Sequence, residues 1–254
     1  QIVNITLDRA VDDAQAIFES LNSTGKELSE SDLIRNYVLM GLEPSEQIYV
    51  YEHLWRPMEQ LFVYETQGTV MDAFFRHYLT MKLARIPKQG RVYEEFKLYH
   101  LNCEFGTIRE LCQDLLDYAK YYTNIVFKRN SDLDLKKLYE EIIDLRMEVS
   151  YPFLLKIHHD CTDGIITSDE LKEILKLCIS YVLRRAICEI PTNSMNKTFA
   201  TLKNYIKPDD YLNSVKAFFV MQDTYKEFPD NDKFEGAFVS RDIYNMRARN
   251  YILS

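Results

Sequence analysis

The chain has 254 residues, 46% of them hydrophobic, with only seven Gly and seven Pro against 18 Tyr and 14 Phe. That composition excludes a disordered tail and supplies a core for one large or two small domains. A net charge of −8 argues against a surface built mainly to grip a phosphate backbone, while leaving room for a local basic patch.

Ile2 to Asp8 alternates apolar and polar residues, with Val3, Ile5 and Leu7 on one side, and reads as a single strand. A lone strand is marginal, so its sheet partners are expected upstream of Gln1. Ala14, Ile17, Phe18 and Leu21 share one helical face, and Asn22-Ser-Thr-Gly25 stops that helix, with Gly25 able to take positive φ. Ser29 and Asp32 form a capping-box-like start for a second helix that places Leu33, Tyr37 and Met40 on one side. The stretch is an ordinary helical hairpin or, since Asn22, Ser23, Thr24, Gly25 and Lys26 lie between two helix termini, a loop whose backbone N–H groups receive an anion.

Beyond residue 42 the signals are helical. Ser45 to Tyr64 has helical period, with Pro57 expected to kink or divide it. Thr69 begins a helix that ends before Pro87, and Arg91 to Leu101 is short and aromatic. Thr107 and Glu110 make a capping box ahead of the stripe Leu111, Leu115, Tyr118 and Tyr122. Ser131 is expected to open a helix carrying Leu135, Leu138, Ile142 and Leu145. Tyr151-Pro152 starts the next, which halts near Asp163-Gly164. Thr167 and Glu170 cap the strongest helix, whose apolar face comprises Leu171, Ile174, Leu175, Cys178, Tyr181 and Val182 before Pro191. Helices over Lys197–Ile206 and Tyr211–Met221 follow, and the last ones contain Phe234, Phe238, Ile243 and Tyr244. The fold class is mainly α: a multi-helix, bundle-like domain over 43–254 behind a short N-terminal α/β remnant, one strand, in 1–42.

Few residues combine into recognisable chemistry. Cys103, Cys112, Cys161, Cys178 and Cys188 show no CxxC or zinc-finger spacing and read as reduced, mostly buried thiols of a cytoplasmic protein. No apolar run approaches the ~20 residues that cross a bilayer, so no membrane contact is expected. His159 to Glu170 places Gly164, Ile166 and Glu170 at calcium-loop positions. His159 and Cys161 are poor ligands for a hard cation there, and a turn between capped helices explains the glycine. His158, His159 and Cys161 lack a fourth ligand at suitable spacing, so no metal site is assigned. Arg184 and Arg185 on the apolar helix either bury their stems and pair with carboxylates or helix-end carbonyls, or contact a phosphate beside Pro191-Thr-Asn-Ser. Arg241, Arg247 and Arg249 form the most basic local cluster, either facing DNA or lining the solvated side of a terminal helix. No catalytic triad, Cys–His pair or carboxylate pair can be assembled, and no catalytic residue is assigned.

Two longer stretches carry a family likeness. FESLNSTGKELSESDLIRNY, Phe18 to Tyr37, resembles the second signature of the ParB-like (sulfiredoxin-like) N-terminal domain of GmrSD-type restriction proteins. YVLRRAICEIPTNSMNKTFATL, Tyr181 to Leu202, resembles the helical region such proteins carry ahead of a His-Me finger nuclease. The resemblance implies that residues 1–42 end a nucleotide-binding domain and that 43–254 connect it to the nuclease. It implies a non-catalytic piece of a phage-defence protein that couples nucleotide binding to cleavage of modified DNA. Asn22, Thr24, Gly25 and Lys26 are the nucleotide-side residues it points to. The family's Asp-Gly-Gln-Gln-Arg motif does not occur here, and Glu52-His53-Leu-Trp-Arg-Pro57 has its proline one residue too late to match the nuclease motif. The chain opens on Gln1 and stops at Ser254 directly after Tyr251-Ile-Leu253, so a piece of a longer protein is expected. No cofactor is expected in this piece, and a nucleotide and a divalent metal are expected in the parent. Its implied partners are the flanking domains of the same protein and, through them, DNA; a homo-oligomer is compatible with this reading. The alternative is a stand-alone helical scaffold that binds protein through an aromatic surface.

Overall fold

The structure, a computed structural model, describes residues 28–62, 69–103, 105–246 and 249–253. The expected strand Ile2–Asp8, the helix ending at Leu21 and the loop Asn22–Lys26 lie outside the described residues. Among the described residues every regular element is helical, and no helix is long and apolar enough to cross a membrane. The chain divides into two compact units: Gln1–Phe75 with Lys88–Ala119, and Arg76–Pro87 with Lys120–Ser254. The first described helix, Glu30–Leu39, packs within the same unit as helices beyond residue 42.

In the first unit, α1 (Glu30–Leu39) begins at Ser29, whose Oγ accepts the Asp32 N–H at 3.1 Å. The expected stripe of Leu33, Tyr37 and Met40 is corrected: Ser31, Ile34 and Val38 are the buried residues. A tether absent from the local pattern selects that face. The Ser31 N–H donates to Asp72 Oδ1 at 2.8 Å, from α4 (Thr69–Leu83), and turns this side of α1 inward. Glu30 in turn accepts the N–H groups of Tyr93 at 2.6 Å and Val92 at 3.3 Å, capping α5 (Val92–Asn102), whose own N-cap Arg91 makes no side-chain cap. Tyr37 is not idle on the flank, for its hydroxyl meets His100 Nδ1 at 2.8 Å and its ring packs edge-on to Phe96.

Pro57 does not divide its helix. Between α2 (Pro44–Val50) and α3 (Arg56–Phe62) the backbone widens into a π-helical turn over Tyr51–Trp55, in which the Arg56 N–H reaches Tyr51 O, five residues back. Proline has no N–H to return to the preceding turn, and the wide turn absorbs that loss. It also swings Trp55 into the core, 1% exposed, stacked on Phe75 with its Nε1 donating to Glu59 at 2.7 Å. The Thr107–Glu110 capping box ahead of α6 (Ile108–Val126) forms as expected, with reciprocal bonds of 3.2 and 3.1 Å.

The second unit is organised around α9 (Ser168–Ile187), which packs against α7 (Leu133–Asp144), α8 (Tyr151–Thr162), α11 (Tyr211–Val220) and α12 (Asn231–Ser240). Its capping box, Thr167 with Glu170, is complete, and Leu171, Ile174, Leu175, Cys178, Tyr181 and Val182 are all buried. The start of α7 is corrected by one residue: Asp132, not Ser131, is the cap, because its carboxylate accepts the N–H groups of both Asp134 and Leu135. The helix α10 (Met195–Leu202) and the short C-terminal α13 (Arg249–Leu253) complete the unit.

Candidate functional site

The densest polar arrangement lies at the C-terminal end of α9. The helix stops because Glu189 turns to φ 54° and Pro191 cannot continue it, and a single 3₁₀ turn, Thr192–Ser194, leads into α10. Such an end leaves carbonyl oxygens without partners. Two adjacent arginines supply donors. Arg185 is 1% exposed; its Nη2 donates to Pro191 O at 2.7 Å, Tyr225 O at 2.9 Å and Ser194 Oγ at 3.3 Å, and its Nη1 to Glu227 O at 3.1 Å. Its guanidinium lies 5.1 Å from the Tyr181 ring centroid, a cation–π contact. Arg184 reaches Pro229 O at 3.1 Å and Asn231 Oδ1 at 2.7 Å, and stacks 4.9 Å from Phe234. Together they fasten the irregular segment Tyr225–Asn231 against the helix. Tyr181 adds a third tie, donating to Lys226 O at 2.8 Å.

Charge is left over. Every hydrogen-bond acceptor of Arg185 among the described residues is a carbonyl or a hydroxyl; burial lowers its pKa from the ordinary value, opposed by the nearby Tyr181 hydroxyl and the Glu227 carboxylate. Its Nε is buried with no acceptor, and so is that of Arg241. Both arginines line a cavity of about 600 Å³ together with Arg146, Glu148 and apolar residues that include Met147, Val182 and Met195. Arg241 pairs with Glu189, whose side chain is 71% exposed. Arg146, held at φ 52° after α7, is exposed and has no ion pair among the described residues.

The other candidates that fall among the described residues are engaged in packing and local hydrogen bonds. Asn22, Thr24, Gly25 and Lys26 lie outside the described residues. His53 sits in the π-helical turn and bonds only Tyr49 O, while Glu52 pairs with Arg56. Glu170 is engaged in its capping box, where both the N–H and the hydroxyl of Thr167 hold its carboxyl below the usual range. His158 is buried with both ring nitrogens in use, Nδ1 at 2.7 Å from Leu154 O and Nε2 at 2.7 Å from the Tyr139 hydroxyl. The carbonyl acceptor fixes the proton on Nδ1, and burial pushes the pKa of the ring down to about 4. Asp160, 1% exposed, is held by Lys156 and Tyr211. Among the described residues no group of three His, Cys, Asp or Glu side chains could hold a metal ion.

The sequence pattern marked Arg184, Arg185 and Arg241 but not the convergence of Arg185 and Arg241 with Arg146. Arg146 had no signal of its own: it follows the apolar end of α7 as an ordinary surface arginine would. Of the remaining basic cluster, Arg249 contacts Tyr244 O at 3.5 Å and Arg247 lies outside the described residues. No family model matches the chain, and no curated protein or solved structure matches it either.

Proposed function

We propose that the chain is the connecting portion of a GmrSD-type, modification-dependent restriction protein, joining a nucleotide-binding domain to a DNA nuclease and having no catalytic centre of its own. The observation that carries the reading is the pair of family-like segments, Phe18–Tyr37 and Tyr181–Leu202, in the family's order. The described parts of both are used for packing. Residues 29–31 tie the starts of α1 and α5, and Arg184, Arg185 and Tyr181 fasten the chain after α9. A relay between two active domains needs such firmly tied helix ends, because a signal passes only through elements that move as units.

On this reading Asn22, Thr24, Gly25 and Lys26 complete a nucleotide site whose main binding groups lie upstream, the divalent metal belongs to the parent's catalytic centres, and the protein works in the cytoplasm. A helical protein-binding scaffold is the second reading, favoured by the exposed run of Val220 and Met221, 78% and 81% exposed, at the end of α11. The full reading frame tests the choice. An upstream Asp-Gly-Gln-Gln-Arg motif and a downstream Glu-His-x-x-Pro motif are expected, with nucleotide hydrolysis and DNA cleavage by the full-length protein and neither by this chain. Their absence, or turnover by this chain that Asn22 or His53 substitutions abolish, would overturn the proposal.

A further inference from the structure

The cavity beside Arg185 differs in charge from the chain around it. Its lining carries three guanidinium groups, of Arg146, Arg185 and Arg241, against the single carboxylate of Glu148, in a chain of net charge −8. A buried cation satisfied only by neutral acceptors keeps its full charge in a medium that screens poorly. The ion pair of Arg241 with Glu189 uses a mostly exposed carboxylate and therefore compensates weakly, and the Glu227 carboxylate, whose field reaches Arg185, is shared with Lys233. Arg185 and Arg241, both in the lining, each carry a buried Nε–H without an acceptor among the described residues. Apart from Thr192 and Asn245 the rest of the lining is apolar, and a volume of about 600 Å³ falls within the range of small-molecule sites. Arg146 and Glu148 are exposed, so the cavity opens to solvent on their side.

We propose that this cavity binds a small organic phosphate monoester, the phosphate against Arg146 and Arg241 with the charge of Arg185 behind them, and the carbon skeleton against Met147, Val182 and Met195. Three lining guanidinium groups against one lining carboxylate, with Glu189 offsetting Arg241 only from outside the lining, favour a group that carries about −1.5 to −2 at neutral pH, and guanidinium forks suit phosphate oxygens. A bare phosphate ion would leave the apolar wall unused. Arg185 acts here as a positioning residue, since its own hydrogen bonds are spent on carbonyls. The proposal does not depend on the restriction reading, because the site lies wholly within the second unit.

The test is calorimetric titration of the whole chain at low salt with phenyl phosphate, inorganic phosphate and phenol. Phenyl phosphate is expected to bind at least about tenfold more tightly than inorganic phosphate, and phenol not to bind measurably. Arg146→Gln and Arg241→Gln should each weaken phenyl phosphate binding about tenfold. Arg146 is exposed and has no ion pair among the described residues, so its variant is expected to keep the parent melting temperature and to report on binding alone. Equal affinity for inorganic and phenyl phosphate would mean a general anion contact and overturn the proposal. So would the absence of binding at millimolar phenyl phosphate, or binding that neither variant alters.

Discussion

The two units solve the same problem with opposite charges. In the first, helix N-termini are closed by acceptors brought from elsewhere in the chain: Glu30 on α5 and Asp72 on α1. In the second, a helix C-terminus and the irregular segments beside it are closed by donors, Arg184 and Arg185 on the carbonyls of residues 191, 225, 227 and 229. Both follow from the orphaned backbone groups that every helix end leaves. They differ in what remains afterwards. The carboxylate of Glu30 is only half-buried and meets N–H groups at the positive end of a helix, where its charge is welcome. Arg185 is buried with only neutral oxygens as hydrogen-bond acceptors among the described residues, and it borders the cavity. The first arrangement is therefore purely structural, whereas the second leaves an electropositive cavity.

The largest break in this contrast should come from Arg185→Leu, which strands three part-buried carbonyls and the buried Ser194 hydroxyl. A loss of about 3–5 kcal/mol in chemical denaturation is expected, as for one partner removed from a buried charged network. Leu175→Ala, at a fully buried position on α9, should cost about 2–5 kcal/mol by loss of contacts and creation of a cavity. A change under about 0.5 kcal/mol at either position would place it on the surface.

A pH dependence separates buried neutral groups from buried charged ones. Folding lowers the His158 pKa from 6.5 to about 4, so the unfolded chain takes up a proton that the folded chain refuses. The stability is therefore complete above pH 6.5 and is lost as pH falls towards 4, by about 3 kcal/mol at most. His158→Leu should be less stable at pH 7, because the Tyr139 hydroxyl loses its acceptor, yet its denaturation midpoints should fall less steeply over that window. An unchanged slope would contradict the assignment. The smallest effect is expected in the first unit: Glu30→Ala removes the cap on α5 and should cost about 1 kcal/mol, measured by thermal unfolding.

These differences track what was legible in the chain. The capping boxes at Thr107 and Thr167 and the buried face from Leu171 to Val182 could be read because each lies within a single helix and its cap. The register of α1 could not be. Leu33 and Ile34 are both apolar, and the tether that chooses between them comes from Asp72, far along the chain. The surroundings of Arg185 were hidden for a deeper reason. Its partners are backbone carbonyls, which every residue carries and no residue type announces. The convergence of Arg146 and Arg241 on the same cavity depends on how α7, α9 and the segment after α12 pack, which no spacing encodes.

The claim that the donors of Arg185, rather than its bulk or charge, hold the second unit's irregular segments is tested most directly by amide hydrogen exchange in Arg185→Lys. Lysine keeps the charge and most of the stem but loses the planar fork. Exchange should accelerate selectively at Thr192–Met195 and Tyr225–Phe234, while Glu30–Leu39 in the first unit keeps its protection. Unchanged protection at Tyr225–Phe234, or an equal loss in Glu30–Leu39, would contradict the account.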